Sequence, residues 1–301
     1  VTESRTRYPY RSPGDHAAVQ AACRRALTDS GLPCEVQLVD TAQGATGVLV
    51  AGQPSALPPV VLVPGAEAPA VTMTAAIEAI GRSRQVFVPD PPGMPGLSAP
   101  KQPERDFWAS YGSWLDTVLP ALTPDPVMLV GHGLGAGIAL AASREHQVTQ
   151  LVLIGPLGLS PVRPSVAVRW RRWLWRVNAD HQATGRLLQS LTAAGFRPDP
   201  AALAVLCVIG AHYRPPHIPH RFPEESVRRW THRTPLTAVV GEYDPVLTGP
   251  ALRALAARLP TASVRMLDGV GHLLPLEAPD RFAELLDRVT TARSAPRNDH
   301  P

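Results

Sequence analysis

The chain has 301 residues, 45% of them hydrophobic, and a formal net charge of +4. That length and apolar share suit one large α/β domain with an insertion, or two small domains. An apolar run of about 18 residues, which a membrane span requires, is missing, and the cations form no continuous tract, so nucleic acid is a weak candidate partner.

The stretch Val1 to Gly14 reads as a loose leader, and Val1 to Arg11 is too polar for a signal peptide, so a cytoplasmic protein is expected. Asp15 is placed to cap a helix running to about Thr28, with Ala18, Val19, Ala22 and Leu27 as its apolar spacing. Gly31-Leu32-Pro33 ends it. Cys34 to Asp40 alternates like an antiparallel strand, and Gly44-Ala45-Thr46 turns the chain into a partner over Gly47 to Ala51. Val60 to Val63 and Val86 to Val88 are continuous apolar strands, with a helix over Met73 to Ile80 between them. Trp108 to Leu119 reads as an amphipathic helix in which Trp108 and Trp114 pack. Val127 to Val130 and Val148 to Ile154 are further strands. Apolar strands alternating with helices imply a parallel sheet covered on both faces.

From Gly155 that rhythm breaks. Residues 156–234 contain helical pieces punctuated by prolines and no strong strand, which reads as an inserted helical cap between core segments 1–155 and 235–293. The rhythm resumes with a strand at Leu236 to Val240, a helix at Pro250 to Arg258, a strand near Ser263 to Leu267 and a helix over Pro279 to Val289. Residues 294–301 read as a flexible tail.

The most informative stretch is Val127 to Ala142. A buried strand leads into Gly131-His132-Gly133-Leu134-Gly135, a turn too tight for bulky side chains, and then into a helix over Leu134 to Ser143. The layout matches the nucleophile elbow G-x-S-x-G, with Gly133 where Ser normally stands. Three further motifs follow the same order: Val63-Pro64-Gly65, the run Pro89 to Gly96, and Gly241-Glu-Tyr-Asp244 with Gly271-His272. Together they resemble the α/β-hydrolase superfamily over nearly the whole chain, closest to capped actinobacterial hydrolases of the meta-cleavage and epoxide-hydrolase type. The Arg-, Ala- and Pro-rich composition, with Lys101 as the single lysine, also fits a GC-rich source.

The resemblance implies an α/β-hydrolase fold with a mostly parallel eight-stranded sheet, helices on both faces and a helical cap. It implies the chain order nucleophile position Gly133, acid Asp244, histidine His272, the latter two in loops at strand ends. It also implies an oxyanion hole from the backbone N–H groups of Leu134 and Ala66, although Pro64-Gly65 stands where such families usually have His-Gly. An Asp–His dyad without Ser retains acid–base catalysis but not two-step acyl transfer. The expected function is therefore a cofactor-free cyclisation, elimination, isomerisation or related step on a small organic, polyketide-type molecule in specialised metabolism. A hydrolase working through His272-activated water and a non-catalytic binding protein are the alternatives. Removal of the Ser by engineering also remains open.

Other residues enter as candidates for substrate contact. Glu67 is the one acid near the oxyanion loop and is expected to be solvated, with a catalytic role in second rank. His132 most simply packs. In the cap, Trp170, Trp173, Leu174 and Val177 fall on one helical face and Arg169, Arg172 and Arg176 largely on another. The simplest reading is an amphipathic helix with a solvated basic side; a membrane-surface role is an alternative, for which one short helix gives a weak anchor, and the functional version lets Trp170 or Trp173 wall an aromatic ligand. His212 and Tyr213 are possible polar pocket residues. His217 and His220 lack metal-ligand spacing, and Cys23, Cys34 and Cys207 are unclustered, so neither a metal site nor a disulfide framework is expected. Asp90 reads as a structural loop residue.

Overall fold

The computed structural model describes residues 8–103, 106–159, 164–215, 218, 222–231, 234–247 and 249–294. The elements in chain order are helix α1 (Pro13–Ser30), strands β1 (Cys34–Thr41), β2 (Gly44–Ala51) and β3 (Val60–Val63), a 3-10 turn at Ala70–Met73, then α2 (Thr74–Gly81) and β4 (Val86–Pro89). Helix α3 (Phe107–Leu122), β5 (Val127–His132), α4 (Leu134–Ala141), a 3-10 turn at Glu145–Gln147 and β6 (Val148–Ile154) follow. Four helices come next: α5 (Val166–Val177), α6 (His181–Gln189), α7 (Pro200–His212) and α8 (Glu224–Thr231). The chain ends with β7 (Leu236–Gly241), α9 (Gly249–Arg258), β8 (Ser263–Leu267), α10 (Leu274–Glu277) and α11 (Pro279–Ser294).

The eight strands form one sheet in the order β1-β2-β4-β3-β5-β6-β7-β8. Strand β2 runs antiparallel to both its neighbours, and every other pairing is parallel. The fold is the expected α/β-hydrolase sheet with helices on both faces. Its central strands are buried on both sides, which is why they read as unbroken apolar runs. Successive side chains still divide between the faces. Val60, Leu62, Met128 and Val130 join the core beneath α1, α2 and α11, while Val61, Val63, Val127 and Leu129 join the core beneath α3, α4 and α9.

Local chemistry explains most boundaries. Helix α1 is capped by Ser12, not Asp15: the Ser12 hydroxyl accepts from the Asp15 N–H at 3.2 Å, Pro13 takes the first turn, and Asp15 sits inside it. The earlier start follows because proline is pre-organised for the first helical position and needs no N–H there. The β1–β2 hairpin closes earlier than the sequence reading has it. Thr41 pairs directly with Gly44, and the Thr41 hydroxyl donates to the Gly44 carbonyl at 2.7 Å, so the turn is Ala42-Gln43 and Gly44 already belongs to β2. Helix α11 runs past the expected end at Val289.

The leader is not loose where it is described. Tyr10 is buried, bridges Tyr213 at the end of α7, and donates its hydroxyl to the Met94 carbonyl at 3.2 Å. The Arg214 N–H donates to the Pro9 carbonyl at 2.7 Å. Residues 1–7 and 295–301 lie outside the described residues. Trp108 and Trp114 are buried on α3 as expected, and the Trp114 indole N–H donates to the Thr46 hydroxyl at 2.9 Å. Asp90 is also buried; its carboxylate accepts the N–H groups of Ala70 and Leu97, each at 2.9 Å, which stitches the loop after β4 to the 3-10 turn. No helix among the described residues is long and apolar enough to cross a membrane.

The core is tight where α4 leaves the sheet. Gly135 packs on the end of β3, and a side chain there would press into the Val63 and Pro64 carbonyls. Gly135→Ala should therefore overpack the elbow and cost about 1–3 kcal/mol. Urea unfolding should show a lower midpoint with an unchanged slope.

Candidate functional site

The parallel strands all deliver their C-terminal ends to one edge, and the loops leaving that edge converge on a single cavity of about 740 Å³. Open α/β sheets bind ligands at that edge. The loop after β3 contributes Ala66 and Glu67, the turn after β5 contributes His132, Gly133 and Leu134, and the loop after β8 contributes His272. Helices α5, α6 and α7 close the other side.

At the elbow, Gly133 has φ 56° and ψ −114°. A residue with a side chain adopts that left-handed region only under strain, whereas glycine does so freely. A Cβ added there would meet no atom nearer than 3.8 Å, and that nearest atom is His272 Nε2. A Cβ at this position would therefore fit in ordinary contact beside the imidazole. Leu134 is the first residue of α4, so its N–H is one of the helix-end donors that no intrahelical carbonyl uses. Ala66 lines the same cavity across from it.

Asp244 and His272 meet. The imidazole Nδ1 lies 2.8 Å from Asp244 Oδ2. The second carboxylate oxygen accepts the N–H groups of Val246 at 2.7 Å and Leu247 at 2.9 Å. Burial alone would raise the Asp244 carboxyl, but the attraction of His272, its hydrogen bond and the two backbone donors outweigh this and hold the group below its usual range. An ionised carboxylate at Nδ1 makes that nitrogen the N–H and leaves Nε2 as the basic one, turned to Gly133.

The imidazole is also held through its backbone. The His272 N–H donates to the Leu191 carbonyl at 2.7 Å, just after α6. Glu277 on α10 accepts from Gly271 N–H at 2.8 Å and from Ala193 N–H at 2.6 Å, so one carboxylate clasps the histidine loop and the helical segment above it. His132 packs, as the sequence reading has it. It is buried, and its Nε2–H donates to the His272 carbonyl at 2.9 Å. Burial, then the neighbouring His272, push its pKa down to about 4, so it is neutral near pH 7.

Several expectations for the cap change. Glu67 is not simply solvated: Arg172 binds it at 2.9 Å and Arg176 pairs with the same oxygen. That ion pair ties Arg172 and Arg176 to the loop beside the cavity, while Arg172 stays about half exposed and Arg169 exposed. Trp170 and Trp173 face away from the cavity and stack on each other in the open, ring centroids 4.9 Å apart. Trp175, which the spacing argument passed over, is the α5 indole on the cavity wall. His212 pairs with Asp15 on α1, and Tyr213 is buried against Tyr10; neither lines the cavity, because α7 uses that end to dock on the N-terminal segment. His217 and His220 lie outside the described residues, and no cluster among the described residues could hold a metal ion. Cys23, Cys34 and Cys207 are free thiols.

The apolar lining from Leu187, Leu188, Leu191 and Leu206 was not visible in the sequence as a pocket. Its only trace is the apolar spacing of α6 and α7, which equally suits ordinary core packing.

These two perturbed groups predict acid sensitivity in separate windows. His132 has a depressed folded-state pKa, so its contribution to stability is complete above its unfolded value near 6.5 and is lost as pH falls through about 4. Asp244 is also depressed, so its contribution is present above the ordinary carboxylate value and is lost as pH falls below it. Urea midpoints measured down the acid limb should show both losses. His132→Gln should flatten the upper window, and Asp244→Asn the lower one.

Comparison with known proteins places this geometry. Residues 60–285 match the profile of the Alpha/beta hydrolase family. The pimeloyl-[acyl-carrier protein] methyl ester esterase of Aromatoleum aromaticum is 29% identical over 197 residues, 59% of this chain and 78% of that protein. A 2-hydroxymuconate semialdehyde hydrolase of Pseudomonas putida is 26% identical over 238 residues, 71% of this chain and 79% of that protein. Among solved structures, naproxen esterase from Bacillus subtilis superposes with a TM-score of 0.74 at 18% identity, covering 93% of this chain and 99% of its own. With the sheet order, the strand-end cavity and a profile match over most of its length, the chain belongs to the Alpha/beta hydrolase family.

Proposed function

We propose that this protein is an enzyme that moves protons without forming a covalent intermediate. His272, oriented by Asp244, is the base and acid; Gly133 leaves the nucleophile position without a hydroxyl; the Leu134 and Ala66 N–H groups receive developing negative charge on a substrate oxygen. One observation carries the reading. The basic nitrogen of a buried acid–imidazole pair would lie 3.8 Å from a Cβ at position 133, where the chain carries no side chain. A substrate group or water at that position would sit within reach of Nε2. Backbone donors of this type stabilise an enolate or alkoxide as well as a tetrahedral acyl adduct.

The reaction class that fits is a cyclisation, elimination, isomerisation or related step on a small, mostly apolar, enolisable molecule, such as a polyketide-type intermediate of specialised metabolism. Positioned acid–base catalysis contributes roughly 10²–10⁴-fold, which suits an activated substrate. The groups it needs are all supplied by the chain, so the reading calls on no cofactor. Residues 156–234 serve in it as a cap over core segments 1–155 and 235–293, with α5 to α7 walling the substrate. A second reading is hydrolysis by His272-activated water; the two relatives named above, one an esterase and one a hydrolase by name, support hydrolysis as the reaction.

Exchange of α-protons with deuterated water, followed by NMR over a panel of enolisable ketones, tests the first reading. His272→Ala should lower the exchange rate about 10²–10⁴-fold with the melting temperature retained. Equal rates in the two proteins would remove His272 from the proton transfer, and no exchange with any ketone would overturn the first reading and leave hydrolysis or binding. Turnover in ¹⁸O-labelled water separates the hydrolytic reading, since only hydrolysis carries solvent oxygen into product. Gly133→Ser should gain hydrolysis of p-nitrophenyl esters, because its Cβ would stand 3.8 Å from Nε2.

A further inference from the structure

Helix α5 turns an entirely apolar side to the outside. Val166, Trp170, Trp173, Leu174 and Val177 follow one another along one helical face, and they are 79%, 58%, 53%, 36% and 66% exposed. The two indoles stack at 4.9 Å with planes 23° apart, so the stripe is a formed surface and not isolated side chains. Isolated apolar residues on a surface are ordinary, whereas a contiguous patch marks an interaction site. Exposed Arg169 and Arg171 flank the stripe, with half-exposed Arg172 beyond, and the helix carries no acidic residue.

We propose that α5 is an interfacial helix that seats the protein on an anionic lipid surface. The charge pattern selects this occupant. Arginines bordering an apolar stripe suit lipid phosphates, and each cation near an anionic surface adds to binding. The same arginines oppose a second copy of the chain, because apposing two α5 stripes would bring like charges together. The side chains agree: Trp is the residue that settles at the boundary between acyl chains and head groups. Twelve residues make a helix about 18 Å long, enough to lie in the interface and too short to span it.

The opposite side of the same helix walls the cavity. Trp175 and Val168, on the inner side of the same helix, form part of the cavity wall, as do Arg169 and Arg172. Seating α5 on a bilayer would bring the substrate chamber beside the lipid, where apolar molecules partition. The proposal does not depend on the chemistry assigned to His272.

The test is flotation of the full chain with vesicles of equimolar phosphatidylcholine and phosphatidylglycerol, beside vesicles of phosphatidylcholine alone. Binding is expected to the anionic vesicles, to weaken as salt screens the arginines, and to be weak on the neutral ones. One single helix gives a reversible anchor, so Trp170→Gln with Trp173→Gln should weaken it about tenfold or more. Arg171→Glu should do so through charge alone. All three positions are exposed, and unchanged circular dichroism and melting would confirm an intact fold. Absence of binding to anionic vesicles, or equal binding by the double variant, would overturn the proposal. So would a dimer in sedimentation that the double variant abolishes without any vesicle binding, since a second copy would then own the stripe.

Discussion

The structure depends on a 2.8 Å contact between Asp244 and His272, two residues that leave the sheet on different loops. Nothing local brings them together. The contact exists because β7 and β8 are neighbours in a parallel register, so both chains turn at the same edge. Asp244 is then pinned by two backbone donors of its own loop, and the histidine by the Leu191 carbonyl. The imidazole is held at Nδ1 and its residue at the backbone N–H, so the other ring nitrogen is aimed by the fold.

The second organising contact is the ion pair of Glu67 with Arg172 and Arg176. It ties the loop after β3, which carries Ala66, to helix α5. Arg176 and Glu67 are 21% and 20% exposed, so the pair is partly buried, and it joins α5 to that loop. With two arginines held at that loop, the Trp170–Trp173 side of the helix faces outward. Helix α7 is meanwhile occupied by α1, through the Tyr10–Tyr213 bridge and the His212–Asp15 pair. Helix α7 is therefore anchored to the N-terminal segment and α5 to the loop beside the candidate site.

The site was legible to the extent that it is written in backbone-constrained motifs. Gly133 is recognisable because only a sharp strand-to-helix turn needs that density of glycine, and the structure gives it the left-handed φ of 56°. Glu67 shows the limit of the approach. An acidic residue in a loop reads as solvated until the partner arrives, and its partners lie 105 and 109 residues away on a helix whose rotation the sequence leaves open. Glu277, which clasps the histidine loop and the segment after α6, carried no signal at all, since a glutamate after Pro-Leu fits any exposed helix end.

By itself, then, the sequence determined what local physics controls: buried parallel strands from unbroken apolar runs, the elbow from its glycines, and the order in which the candidate groups appear. The tertiary structure alone decided which way each helix faces. An amphipathic period says that α5 has two sides, but which side meets water depends on what the rest of the molecule offers as partners. Here a carboxylate beside the site claimed the arginines, and the indoles were left outside.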